Sequence, residues 1–200
     1  MSDIFKTIEK ESTGYFKDKG SKFYSYAFPI NTEKEVKDII VRLKKERHSA
    51  RHHSYAWRLG TENIRFRAND DGEPSSTAGK PILGQLLSYE VTNILVVVVR
   101  YFGGTLLGAS GLINAYRTAA SDALKNAEII EKIIEDEYKL EFSYDVLNKV
   151  MLIIKQENLN IKQTKFEESC ELVFSVRKTE SVKAHNIFEK LYGVKILSSN

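Results

Sequence analysis

A single cysteine, Cys170, stands in a chain of 200 residues, so no intramolecular disulfide can form. No second thiol or Cys/His spacing marks a zinc site, and a reducing, cytoplasmic setting fits best. Cys170 alternates with apolar neighbours in Cys170-Glu171-Leu172-Val173-Phe174, the pattern of a strand residue rather than a nucleophile. Long apolar runs are also missing. The longest, Ile94 to Val99, falls far short of the roughly 20 residues a membrane-crossing helix needs, so no membrane span is expected. Met1-Ser2-Asp3-Ile4-Phe5-Lys6 carries an acid and a base where a secretory leader needs an unbroken apolar core, so no export is implied. A strong charge excess is absent as well: a net charge of +3 does not by itself demand a polyanionic partner. Its distribution is uneven, with 19 Lys/Arg against 15 Asp/Glu up to Ile130 and 11 against 12 beyond.

What is present is enough apolar material, 42% of residues, to build packed cores, so disorder is not expected. Lys22 to Phe28 is aromatic-rich and stops at Pro29, as a strand would. Thr32 then caps a helix, with Glu35 three residues on and Val36, Ile39, Ile40 and Leu43 at helical spacing. His53, Tyr55, Trp57 and Leu59 share one side of a strand; Ile64, Phe66 and Ala68 share one side of the next, across a hairpin connection at Gly60 to Asn63. A short helix follows over Lys80 to Ser88, tolerating Pro81 in its first turn and packing through Ile82, Leu83, Leu86 and Leu87. Asn93 to Tyr101 holds Ile-Leu-Val-Val-Val-Val without alternation, which predicts a central strand buried on both faces. A glycine cluster then leads into a helix whose Leu112, Ala115, Tyr116, Ala119, Ala123 and Ala127 form a small-residue face.

Near Ile129 the texture changes, because glycine nearly disappears. The expected domains are residues 1–130 and 131–200. In the second, strands at Tyr138 to Phe142, Leu159 to Phe166, Leu172 to Val176 and Val194 to Leu197 interleave with helices from Asp145 and over Ser181 to Leu191. That order is β-α-β-β-α-β, the ferredoxin-like arrangement.

The segment Asp70-Asp71-Gly72-Glu73-Pro74-Ser75-Ser76-Thr77-Ala78-Gly79-Lys80-Pro81 gathers carboxylates, turn formers and hydroxyls directly before a helix. Asp71-Gly72 favours a tight turn, and Ser76 or Thr77 can cap the helix start. Arg100 follows four valines at the end of a buried strand; desolvated without a partner its charge would cost several kcal/mol, so it needs a carboxylate, and Asp70, Asp71 and Glu73, the densest acidic group of the domain, are the expected partners.

These words resemble a family. The acidic segment, together with Val98-Val99-Arg100-Tyr101-Phe102-Gly103-Gly104-Thr105-Leu106-Leu107-Gly108-Ala109-Ser110-Gly111-Leu112 and the upstream His52-His53-Ser54-Tyr55-Ala56-Trp57, is similar to the motifs of the YigZ/Impact family. The family's pattern usually has glycine where Ser76 stands and often where Ser110 stands. The resemblance implies an α+β fold: an N-terminal sandwich similar to domain 2 of ribosomal protein S5 and to domain IV of elongation factor G, then a ferredoxin-like C-terminal domain. It also implies a link to translation, since the eukaryotic relatives act in translational control under amino-acid starvation.

The candidate ligand-binding residues are His52, Asp70, Asp71, Gly72, Glu73, Pro74, Arg100, Tyr101, Gly103, Gly104 and Gly108. Candidate nucleic-acid contacts are Lys44, Lys45, Arg47 and Arg51, a basic tract near exposable aromatics such as Tyr24, Tyr55 and Tyr101. The expectation is a cytoplasmic, translation-associated regulatory binding protein contacting RNA, the ribosome or a ribosome-associated protein, with no cofactor and no metal assigned. One alternative is a nucleotide- or phosphate-dependent enzyme using the Asp70-Asp71-Gly72-Glu73 loop. Gly103-Gly104-x-x-x-Gly108 matches neither common phosphate-loop spacing, and no serine sits on a nucleophile elbow. Another alternative is a protein-interaction scaffold.

Overall fold

Eleven strands and five α-helices are laid out in a computed structural model that describes residues 3–199. The chain divides into two compact units: Phe5–Lys132, and Ile133–Asn200 joined by Met1–Ile4.

The first unit is built on β6 (Ile94–Tyr101), whose residues are buried up to Arg100. Burying both faces requires neighbours on both edges. β3 (Ser21–Pro29) and β4 (His52–Leu59) supply them, each antiparallel to β6, while β2 (Ser12–Asp18) and β5 (Arg65–Asn69) close the sheet in the order β2-β3-β6-β4-β5. Between β3 and β4 runs α1 (Glu33–Glu46). Thr32 Oγ1 accepts from Glu35 N at 3.2 Å, and Glu35 Oε2 reaches back to Asn31 N at 2.9 Å. Its apolar stripe, with Val36 and Leu43 buried, packs on Trp57, Leu59, Leu95, Val97 and Val99.

The opposite face carries α2 (Gly79–Ser88) and α3 (Gly108–Lys125). Ile82 and Leu86 are fully buried, whereas Leu87, expected in the same contact, is 53% exposed: it lies about 100° around the helix from Leu86, beyond the core-facing stripe. On α3, the small face of Ala115, Ala119, Ala120 and Ala123 lets the helix come against β2 and β3. A Cβ on Gly14 would lie 2.3 Å from Ala123 N, so only glycine fits there. Asp122 Oδ2 accepts from Tyr15 N at 2.8 Å, and Asn126 Nδ2 donates to Thr13 O at 2.9 Å, which satisfies part of the outer edge of β2. β1 (Ile4–Ile8) and β7 (Ile129–Ile133), neither apparent from periodicity, pair as a two-stranded ribbon.

In the second unit, β8 (Glu135–Phe142), β9 (Asn160–Phe166), β10 (Cys170–Arg177) and β11 (Val194–Ser199) form an antiparallel sheet ordered β11-β8-β10-β9. With α4 (Leu147–Gln156) and α5 (Ser181–Glu189), this is the split βαβ topology of ferredoxin-like folds. Tyr138, Leu140, Phe142, Val150, Leu172, Phe174 and Phe188 make its core, each fully buried large side chain contributing about 1.5–3 kcal/mol. Cys170 is buried in this core.

Candidate functional site

The register of β6 assembles the site. Arg100 lies opposite Phe23 of β3 on one side and opposite His52 of β4 on the other, so all three share the α2/α3 face. Its neighbours in sequence, Val99 and Tyr101, point the other way, as does His53, which pairs with Val99. The two adjacent histidines therefore serve opposite faces.

Between β5 and α2 the acidic loop turns sharply. Asp71 and Gly72 both take left-handed backbone, φ 45° and 87°, and this turn sends the three carboxylates to three destinations. Asp70 caps α2: Oδ1 accepts from Ala78 N (3.0 Å) and Gly79 N (2.8 Å), and Oδ2 from Ser76 N (2.9 Å). This corrects the expected role of Ser76 or Thr77, since Thr77 Oγ1 donates instead to Pro74 O at 2.6 Å. A carboxylate can accept from several N–H groups at once and is favoured by the positive helix terminus, so the more distant Asp70 displaces the local hydroxyls. Ser76 itself sits at φ 62°, a left-handed conformation that glycine adopts at least cost.

Asp71 faces α1 and β4. Its Oδ1 accepts from Lys44 Nζ and its Oδ2 from His53 N, both at 2.7 Å. Burial pushes this carboxyl up, but Lys44 and the His53 N–H together outweigh it and hold the group below its ordinary range. His52 Nδ1 lies 2.9 Å from Asp71 O; because a carbonyl only accepts, the ring donates from Nδ1. Ser54 Oγ donates to Asp70 O at 2.7 Å, so β4 pins the loop at three points.

Glu73 turns inward, 8% exposed, and is the partner of Arg100, 6% exposed. Arg100 Nη1 donates to Oε1 at 2.7 Å and to Oε2 at 3.0 Å, and Tyr116 OH donates to Oε1 at 2.7 Å. Burial and then the Glu73 carboxylate push the Tyr116 phenol well above its ordinary range. Arg100 Cζ sits 5.5 Å from the Phe23 ring centroid and 5.7 Å from that of Phe102, and its Nε is buried without a partner. Ser21 Oγ accepts from Gly103 N at 3.2 Å. A Cβ on Gly103 would come within 1.9 Å of Gly20 C, so the strand end passes the β2–β3 turn only as glycine. Gly104 and Gly108 take φ 88° and 69° with open space around them.

A cleft of about 460 Å³ opens beside this network, lined by Arg51, His52, Glu73, Pro74, Arg100, Phe102, Leu106, Leu107, Gly108, Ala109 and Leu112. Leu106 is 83% exposed at its mouth. Among the described residues no group of three or more His, Cys, Asp or Glu side chains converges where a metal ion could sit. What the arrangement offers chemically is an apolar concavity with an exposed cation, Arg51, the Arg100 charge being met by Glu73.

The candidates of the sequence thus separate. His52, Glu73, Pro74, Arg100 and Gly108 line the cleft, with Arg51 at its edge; Asp70, Asp71 and Gly72 build the wall behind it. Tyr101 lies on the opposite sheet face. The basic tract divides as well, because Lys44 pairs with Asp71 while Arg47 lies 5.8 Å over the Tyr26 ring on the Tyr101 side. Lys45 is exposed. Tyr116, Ser21 and Ser54 also belong to the network, and no local spacing gives Ser21 or Ser54 a site role. The one available signal was Tyr116, a phenol on an otherwise small apolar helix face, whose hydroxyl must find a buried partner.

This is a two-domain α+β protein whose first domain holds a buried Arg–Glu–Tyr network under a glycine loop. The Impact N-terminal domain family matches residues 19–124. The chain is 33% identical over 178 residues to an IMPACT family member of Haemophilus influenzae, covering 88% of this chain and 86% of that protein. It is 32% identical over 161 residues to the family member YvyE of Bacillus subtilis (80% and 74%) and 36% over 140 residues to YigZ of Escherichia coli (69% and 69%). A crystal structure of a hypothetical protein, 27% identical, matches with a TM-score of 0.73 over 99% of this chain and 98% of that one. The chain belongs to the IMPACT family.

Proposed function

We propose that this protein is a translation-associated regulatory binding protein whose partner is RNA, the ribosome or a ribosome-bound protein. One observation carries the choice of binding over catalysis: Asp70, Asp71 and Glu73 are each engaged by groups of the fold itself. A proton-transfer or metal-dependent reaction at this loop would first have to break a helix cap, a Lys44 pair or the buried Arg100 pair. The cleft is then a preformed surface with exposed Arg51 beside apolar Phe102 and Leu106, suited to recognition. Membership of a family whose eukaryotic members act in translational control directs the choice of partner.

Capture of tagged protein from a lysate, with and without ribonuclease, tests this. Ribosomal RNA or ribosomal proteins should be enriched over an untagged control, and ribonuclease should release them if RNA is the bridge. Enrichment of neither overturns the reading.

A further inference from the structure

The sheet face that carries α1 is only partly covered. α1 packs over β4 and β6, while toward β2 the face stays open: Tyr15 is 43% exposed, Thr13, Lys17 and Lys22 are exposed, and Tyr24, Tyr26 and Tyr101 are half-buried. Strand register sets the rings in a row, because Tyr15 pairs with Tyr24 across β2 and β3, and Tyr101 pairs with Lys22 across β6 and β3. Tyr15 and Tyr24 have ring centroids 5.0 Å apart, and Tyr24 and Tyr101 are 5.8 Å apart and perpendicular. Two concavities of about 420 and 450 Å³ open here, and both are lined by Tyr24 and Arg47. The second adds Lys22 and Tyr101. The carboxylate lining the first, Asp122, already accepts from Tyr15 N.

A ligand for such a face needs flat unsaturated rings to lie against tyrosines and repeated negative charge to meet Arg47, Lys22 and Lys17. Single-stranded RNA has both: its unpaired bases stack on aromatic side chains, and its phosphates meet the cations between them. A duplex hides its base faces and supplies only the charge. We propose that Tyr15, Tyr24 and Tyr101 form a base-stacking platform for single-stranded RNA, with Arg47 and Lys22 holding phosphates. The proposal rests on RNA being among the partners inferred above, and it assigns that contact to a face distinct from the Arg100 cleft.

Fluorescence anisotropy of the full chain with a labelled oligo-uridine, against a duplex of equal length, tests it. Single strands should bind tighter than duplex. Tyr24→Ala and Tyr15→Ala should each weaken binding about 5- to 150-fold, the range for loss of one stacked base. Tyr24→Phe, which keeps the ring, should bind as wild type. Arg47→Gln should lower the slope of log affinity against log salt by about 0.7 for one lost phosphate contact. Tyr15→Ala changes a half-exposed side chain and guards against misfolding of the Tyr24 variant; cooperative thermal transitions verify both. Wild-type binding of RNA that neither alanine variant weakens overturns the platform while the RNA reading stands. Equal affinity for duplex overturns it too. If wild type binds no oligonucleotide yet captures a ribosomal protein through ribonuclease treatment, the platform is wrong and the partner is protein.

Discussion

Arg100 and Glu73 meet at 2.7 Å with side chains only 7% and 3% exposed, joining the end of the central strand to the acidic loop. Removing one member leaves the other charged and buried. Arg100→Met should cost about 3–5 kcal/mol in urea unfolding, and Arg100→Met with Glu73→Leu should recover a large part of it. Tyr116→Phe should cost about 1.5–3 kcal/mol, the worth of a hydrogen bond to a charged group. A single substitution at Arg100 that leaves the urea midpoint unchanged would show that the pair does not hold the loop.

Asp70 is the cap of α2, holding three backbone N–H groups. Asp70→Ala is expected to lower stability by about 2 kcal/mol, the upper end for a capping residue, whereas Ser76→Ala should change it by less than about 0.5 kcal/mol. Ser76→Gly relieves a left-handed conformation and should be neutral or stabilising by up to about 1 kcal/mol. Chemical denaturation of the three variants ranks them, and an equal loss for Asp70→Ala and Ser76→Ala would contradict the assignment.

Stability should fall with acid in two stages. Burial holds the His53 imidazole below its ordinary range, although Asp71 pulls the other way. Below about pH 6.5 the unfolded chain takes up a proton that folded His53 resists, so stability declines from there until pH passes its folded value. The Asp71 carboxyl is also held down, so its contribution is present above about pH 3.9 and lost as pH falls through its lower folded value. Urea midpoints from pH 8 to 3 should show both limbs. His53→Gln should flatten the upper limb and leave the lower one, and an unchanged upper slope would remove His53 as its source.

Two glycines should respond oppositely to alanine. Gly103→Ala drives a Cβ into backbone of the β2–β3 turn and should cost about 3 kcal/mol. Gly84→Ala, on the exposed side of α2 with no atom within 4 Å, should stabilise by up to about 1 kcal/mol. Thermal melts of the pair decide, and a harmless Gly103→Ala would mean the turn can move aside.

Residues 133–199 are proposed to fold alone, because their core is drawn wholly from Tyr138 to Ile196. Asp3 adds only peripheral contacts, a backbone bond to Ile134 and side-chain contacts with Arg177 and Thr179. The expressed fragment should unfold cooperatively with a dispersed amide spectrum. A non-cooperative transition would show that this core needs the rest of the chain.

Elements whose burial is written in local periodicity were legible in the sequence. The unbroken apolar run of β6 needed neighbours on both edges, Thr32 and Glu35 announced the start of α1, and alternation in Tyr138 to Phe142 and Cys170 to Phe174 marked β8 and β10. β2 was not legible, because on its inward side Ser12 and Gly14 precede a single apolar residue, Phe16, and Gly14 is the residue that admits α3. Arg100 required a carboxylate on desolvation grounds alone, but three lie within four residues and nothing local ranks them. The left-handed turn at Asp71 and Gly72 ranks them, turning Asp70 to a helix terminus, Asp71 to Lys44 and Glu73 inward. Tyr24 and Tyr101 stand out in the sequence as exposable aromatics, but Tyr15 does not, and the three become neighbours only through strand register. Local pattern reports how a segment is buried; which distant segment buries it depends on pairing across the sheet, and that is a property of the whole fold.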